Sequence, residues 1–175
     1  MATTIEVYLE HQIIRGDFRD EEGQRTIDLL NSAAIGGIIA LTNAWVASLH
    51  HQAPPARLNT ARVRRAQVFL VVPANTAPLP PRLFRTGFSE RQSLRALVGL
   101  GPFTVAGTHH IGLREQPTLV TLEHDPTGRF LIPITDAVVR SHYNPKWTFE
   151  APLLLINRGA ISFTAPLPAD AAPDK

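Results

Sequence analysis

A chain of 175 residues that is 44% hydrophobic and 18% charged has the composition to bury a core, and its length accommodates one domain or two small units. It contains no cysteine, which excludes disulfides, thiolate zinc sites and cysteine nucleophiles and suits a reducing compartment. A formal net charge of +2 does not by itself imply nucleic acid, no stretch approaches the roughly 20 apolar residues of a membrane span, and the first residues lack a leader's basic segment and apolar run; the expectation is a cytoplasmic protein without a membrane partner.

Ile5-Glu6-Val7-Tyr8-Leu9-Glu10 alternates apolar and polar residues, which predicts a half-buried strand, and Ile13-Ile14-Arg15-Gly16-Asp17-Phe18-Arg19 reads as its hairpin partner across His11-Gln12. Ile27, Leu30 and Ala34 recur at helical spacing, and Gly36-Gly37 ends that short helix. The strand that organises the chain follows, Ile38-Ile39-Ala40-Leu41-Thr42-Asn43-Ala44-Trp45-Val46. His50-His51-Gln52-Ala53-Pro54-Pro55 is a loop, since adjacent prolines suit neither a helix interior nor a central strand. Ala61-Arg62-Val63-Arg64-Arg65-Ala66-Gln67-Val68 resumes alternation and flows into the apolar run Phe69-Leu70-Val71-Val72, closed by Pro73.

Residues 74–92 are rich in proline and read as a linker, with Ser89-Glu90-Arg91-Gln92 at capping-box spacing for one helical turn. Beyond it the pattern returns. Thr3 aligns with Leu94 and Gly16 with Gly107, 91 residues later, and Leu41 with Ile134, 93 residues later, inside Leu131-Ile132-Pro133-Ile134-Thr135-Asp136-Ala137-Val138-Val139. Pro133 demands an edge, a bulge or a register that leaves its nitrogen unused. Leu119-Val120-Thr121-Leu122-Glu123 reads as strand where the first unit has a helix, and Asp125-Pro126-Thr127-Gly128 as a turn. Lys146-Trp147-Thr148-Phe149 and Leu153-Leu154-Leu155-Ile156 match Arg62-Val63-Arg64-Arg65 and Phe69-Leu70-Val71-Val72 at a separation of 84, which makes the His-Pro loop an insertion. These alignments predict an internal duplication, with a first unit at 1–73, a linker at 74–92, a second unit at 93–165 and a tail at 166–175.

The repeat resembles the Sm-like family of small β-barrels. The residues that carry the likeness are Gly16, Asp28-Leu29-Leu30-Asn31 and Leu41-Thr42-Asn43-Ala44 in the first unit, and Ile134-Thr135-Asp136-Ala137 with Ile156-Asn157-Arg158-Gly159-Ala160-Ile161 in the second. The chain is also similar to bacterial domains built on the same Arg-Gly, Asp-Leu-Leu-Asn and Leu-Thr-Asp-Ala pattern. The resemblance implies an all-β fold with minor helix, made of two tandem small Sm-like β-barrels, and an RNA-base pocket of which Asn31, Arg158 and Gly159 are the remnant. Asn31 stands in one unit and Arg158-Gly159 in the other, so each unit keeps half of that pocket; the first unit's final hairpin, taken as Pro73-Ala74-Asn75-Thr76, has no Arg-Gly.

Other candidate sites are weighed on their chemistry. His50-His51 and His109-His110 are not natural chelates, because neighbours on a strand point to opposite faces, so no metal is expected. Arg62, Arg64, Arg65, Arg82, Arg85, Arg91 and Arg95, with Phe84 and Phe88 interleaved, form a basic sector; Arg62, Arg64, Arg82, Phe84, Arg85 and Phe88 are its expected interaction surface, for a protein partner or for a phosphate backbone. A nucleophile elbow, a phosphate loop and a dinucleotide fingerprint are all absent, which leaves Asp125, Asp136 and His142 as the only acid–base candidates. The reading is a non-catalytic interaction or assembly module without a cofactor, which joins a protein partner or itself through strand edges. The alternatives are an Sm-like RNA-binding protein and, third, an unrecognised hydrolase.

Overall fold

The computed structural model describes residues 2–19, 25–50, 54–74, 91–112, 118–124, 128–144 and 147–168. Among these residues ten strands form a single sheet: β1 (Ala2–Tyr8), β2 (Gln12–Arg19), β3 (Ile38–Ser48), β4 (Ala56–Arg64), β5 (Leu70–Pro73), β6 (Arg91–Leu100), β7 (Phe103–Gly112), β8 (Leu131–Ser141), β9 (Thr148–Asn157) and β10 (Ile161–Pro166), with short helices α1 (Thr26–Asn31) and α2 (Val120–Glu123). Every pairing is antiparallel, as the alternating patterns predict. The strand order is β10-β6-β7-β8-β9-β5-β1-β2-β3-β4, so the sheet is open: in place of two separate closed barrels, one ladder runs through both halves and, among the described residues, ends on β10 and β4. Within that order each half reads fifth, first, second, third, fourth, and the halves join where β9 pairs with β5. Among the described residues no helix is long and apolar enough to cross a membrane.

The organising strand has the same surroundings twice. β3 lies between β2 and β4, and β8 between β7 and β9. In each, one residue takes a left-handed conformation, Asn43 at φ 48° and Asp136 at φ 49°. Opposite each, the partner strand shifts register, between Arg15 and Asp17 and between Ala106 and Thr108. The residue skipped at each bulge is a glycine for want of space: a Cβ on Gly16 would lie 2.9 Å from the Thr42 carbonyl oxygen, and one on Gly107 3.1 Å from that of Thr135. Local sequence therefore bends both hairpins in one place.

Strand pairing corrects the alignment of the later strands. Leu41 faces Ala61 and Ile39 faces Val63, while Ile134 faces Leu154 and Ile132 faces Ile156. Ala61 therefore corresponds to Leu154, and Arg62 to Leu155, at the separation of 93 that holds for β3 and β8, rather than 84. The links from β3 to β4 and from β8 to β9 are then of similar length, and the His-Pro loop is no insertion. The near-alternating run from residue 61 to 68 is also broken. β4 stops at Arg64, a 3-10 turn takes Arg65–Gln67, and β5 starts at Leu70, as Arg158–Ala160 separates β9 from β10.

Two further expectations change. Residues 119–123 hold a helical turn rather than a strand: Leu122 is fully buried while Val120 is 58% exposed, and a strand would have put both on one face. Arg91 and Gln92 open β6 against Gly112 and Ile111, so pairing overrides the capping-box spacing there. Pro133 is tolerated inside the sheet because the β7–β8 register ends at Thr108 and Thr135, short of it. The linker at 75–90, with Arg82, Phe84, Arg85 and Phe88, the turn at 125–127, His51 and the tail from 169 lie outside the described residues.

Apolar side chains gather in two clusters, one on each side of the junction. Ile5, Val7, Leu30, Ile39, Leu41 and Val71 belong to the first, and Tyr8, Leu70, Val98, Phe103, Ile134 and Leu154 to the second. Successive residues of the junction strands enter opposite clusters: Leu70 the second and Val71 the first, Leu155 the first and Ile156 the second. This explains the unbroken apolar runs of β5 and β9, since a strand buried on both faces has no polar side to present.

Candidate interaction edges

The junction is an edge-to-edge contact made inside the chain. Leu70 pairs with Ile156 and Val71 with Leu155. Asn157 locks its end. Its main-chain N–H donates to the Phe69 carbonyl at 2.9 Å, its side-chain amide donates to the Val68 carbonyl at 2.7 Å, and its side-chain oxygen accepts the Gly159 N–H at 2.8 Å. With Asn157 only 2% exposed, these bonds satisfy a buried amide that would otherwise destabilise the contact. Beside it the Tyr8 ring stacks on Phe149 at 5.4 Å and meets Phe103 edge-on at 6.0 Å, while its hydroxyl donates to a Glu6 carboxylate oxygen at 2.7 Å. Burial first, and then the Glu6 carboxylate, push the Tyr8 phenol well above its ordinary range.

The same places on the two outer edges carry different residues. By strand register Leu155, Ile156 and Asn157 of β9 correspond to Arg62, Val63 and Arg64 of β4, and Leu70 and Val71 of β5 to Phe163 and Thr164 of β10. Arg62 and Arg64 are exposed, as is Arg57 near the start of β4. None of the three side chains makes a hydrogen bond or ion pair among the described residues. Phe163 is 46% exposed and lies over Gly99, where the junction has Tyr8 instead.

The residues of the expected pocket do converge, and they are occupied. Asn31 ends α1, and its amide spans the halves: it donates to the Leu131 carbonyl at 2.9 Å and accepts the Leu131 N–H at 2.7 Å. Arg158 opens the turn after β9 and donates its main-chain N–H to the Phe130 carbonyl at 3.1 Å, next to that clasp, with Gly159 following it. The first half's counterpart of Arg158 is Arg65, in the turn after β4, and not a residue of 73–76. Arg65 donates to the Leu30 and Ser32 carbonyls at 3.0 and 3.2 Å and lies 4.8 Å from the centre of the Phe130 ring. The separation of 93 between Arg65 and Arg158 is the signal in the sequence that points to it.

The histidines divide as strand geometry requires. His109 is buried with its Nδ1 3.4 Å from the Pro133 carbonyl, whereas His110 is exposed between Ser93 at 3.2 Å and Thr135 at 2.9 Å. His50 meets His11, with 2.8 Å between ring nitrogens, a pairing between hairpin ends that sequence proximity did not indicate. Among the described residues no group of three histidine or acidic side chains is placed to hold a metal ion. Asp136 sits in the middle of β8 and His142 beyond its end, bonded to Thr104, so these two acid–base candidates are separated, while Asp125 lies outside the described residues.

The outer faces of the halves also differ. A cleft of about 760 Å³ opens on the second half, lined by Arg95, Ala106, Thr108, Asp136, Val138 and Glu150. In the first half, the places of the paired Ala106 and Val138 belong to Arg15 and Trp45, which are far bulkier. Asp17 on that face is held below the usual carboxylate range, first by the Asn43 amide and then by the Thr4 hydroxyl. Comparison of the chain with protein-family models, with curated proteins and with solved structures finds no match to any of them.

Proposed function

We propose that the chain is a non-catalytic interaction module of the cytoplasm, built from two duplicated Sm-like units, that meets its partners by adding strands at the open ends of its sheet. The observation that carries this reading is the β5–β9 junction, in which the last strand of one half adds to the fourth strand of the other while, among the described residues, β4 and β10 keep one flank each without a strand partner. An unpaired strand edge is a template for another strand, and in each half the repeated strand order leaves one strand for this role. The repeated order, the paired bulges at Gly16 and Gly107 and the constant separation from β3 to β10 support the duplication. Against RNA binding by the inherited pocket, the Asn31 amide already donates to the Ile27 and Leu131 carbonyls, and Nη1 of Arg65, the first half's counterpart of Arg158, donates to those of Leu30 and Ser32.

Light scattering over a wide concentration range, together with recovery of partners on the immobilised chain, tests the reading. The expected result is a mass that grows with concentration or a stoichiometric protein partner. A mass of one chain at every concentration, with no partner recovered, overturns it.

A further inference from the structure

The two open edges differ in chemistry, and the difference bears on what each accepts. β4 is nine residues long and carries Arg57, Arg62 and Arg64, all exposed. Arg62 and Arg64 are two apart and so stand on one face of the strand, with Val63 between them turned to the core at 4% exposure. No carboxylate among the described residues answers these three guanidinium groups.

A second copy of this chain is a poor occupant. Two β4 strands laid side by side with their Arg62–Arg64 stretches opposed, where Val63 would meet Val63, would bring arginine against arginine, which destabilises a cross-strand pair. β10 offers Ile161, Ser162, Phe163, Thr164 and Ala165, without an acidic side chain to face Arg62 or Arg64. Cationic edges commonly prevent self-pairing, and that same charge admits an oppositely charged strand.

Resting on the reading of the chain as a strand-edge module, we propose that the β4 edge binds an extended acidic segment of another protein, which adds antiparallel to β4 with carboxylates opposite Arg62 and Arg64 and an apolar residue opposite Val63. Main-chain hydrogen bonds would supply the generic affinity, and the alternation of acid and apolar side chains the choice of partner.

The test uses the full chain and fluorescence anisotropy. The probes are a labelled peptide alternating glutamate and valine, the same peptide with lysine for glutamate, an N-methylated version of the acidic peptide that lacks alternate main-chain donors, and a labelled single-stranded RNA. The expected result is saturable binding of the acidic peptide alone, weakened roughly tenfold or more in R62E/R64E, since two attractive cross-strand pairs become repulsive. Circular dichroism and an unchanged melting midpoint verify that this variant is folded. Undiminished binding to R62E/R64E, or equal binding of the lysine peptide, overturns the acidic preference and leaves strand addition standing. Equal binding of the N-methylated peptide overturns strand addition at β4 itself. RNA bound more tightly than any peptide, and lost in R62E/R64E, overturns the proposal in favour of a phosphate-binding strand.

Discussion

Leu155 and Arg62 occupy corresponding places in their halves, yet one is 1% exposed in the junction and the other faces solvent on the rim of the sheet. The same contrast holds between Asn157 and Arg64 and between Leu70 and Phe163. A strand that must satisfy a core on each face becomes apolar throughout; one with a single core keeps its alternation and places charge outside. The halves thus share a topology and differ most at the strands where each one ends. The difference goes with the pairing of β5 and β9 inside the chain, whereas β4 and β10 have no strand on their outer flanks among the described residues.

The widest gap between junction and rim should appear on truncation. Leu155→Ala is expected to lower the free energy of unfolding by about 2–5 kcal/mol in urea titration, because it opens a cavity in the first cluster beside the junction, whereas Arg62→Ala at the matching rim position should change it by no more than about 0.5 kcal/mol. Equal effects would show that the junction is not the tighter contact.

Glycines give a second comparison. Gly107→Ala forces a methyl group towards Ile134 and the Thr135 carbonyl in a tightly paired bulge, and should cost about 1–3 kcal/mol. Gly99→Ala meets the ring of Phe163, which is half exposed on the β10 edge and free to turn aside, so the cost there should stay under about 1 kcal/mol. Thermal unfolding of the two variants side by side checks the order.

Asn157→Ala should cost about 1–3 kcal/mol, since it removes the partner of the Val68 carbonyl and of the Gly159 amide; Arg64→Ala, its rim counterpart, should be close to neutral. Hydrogen exchange sharpens this further. The Gly159 amide should lose protection in the first variant and keep it in the second.

The smallest effect is a dependence on alkaline pH. The Tyr8 phenol has a folded pKa raised by burial above its unfolded value of roughly 10. Above that pH the unfolded chain loses a proton that the folded chain retains, so the stabilisation from neutral Tyr8 is complete below pH ~10 and declines as the pH climbs further. Unfolding midpoints measured above that point should fall more steeply for the native chain than for Tyr8→Phe. Identical slopes would mean that Tyr8 is not held in the junction as described.

How much of this was legible in the residues depends on the range of the interaction that decides each element. Alternation placed β1, β2 and the paired strands β3 and β8, and the recurrence of Leu41-Thr42-Asn43-Ala44 as Ile134-Thr135-Asp136-Ala137 marked the two bends, because a glycine bulge and a left-handed residue are local requirements. The strand pattern misled at Val120 and Leu122, where one buried leucine outweighed a short run of strand formers, and at Arg65, where a turn interrupts a run that alternates on paper. Pocket residues were visible as types, but their engagement was not: that Asn31 clasps Leu131, exactly 100 residues on in the chain, follows only from the way the halves meet. The sequence by itself determined an all-β chain of alternating strands, repeated patterns and two conspicuous apolar runs, since periodicity and turn chemistry act over a few residues. Only the tertiary structure decided that those runs are each other's cover and that the sheet stays open at β4 and β10, because which edge meets which is settled by pairing between strands far apart in the chain.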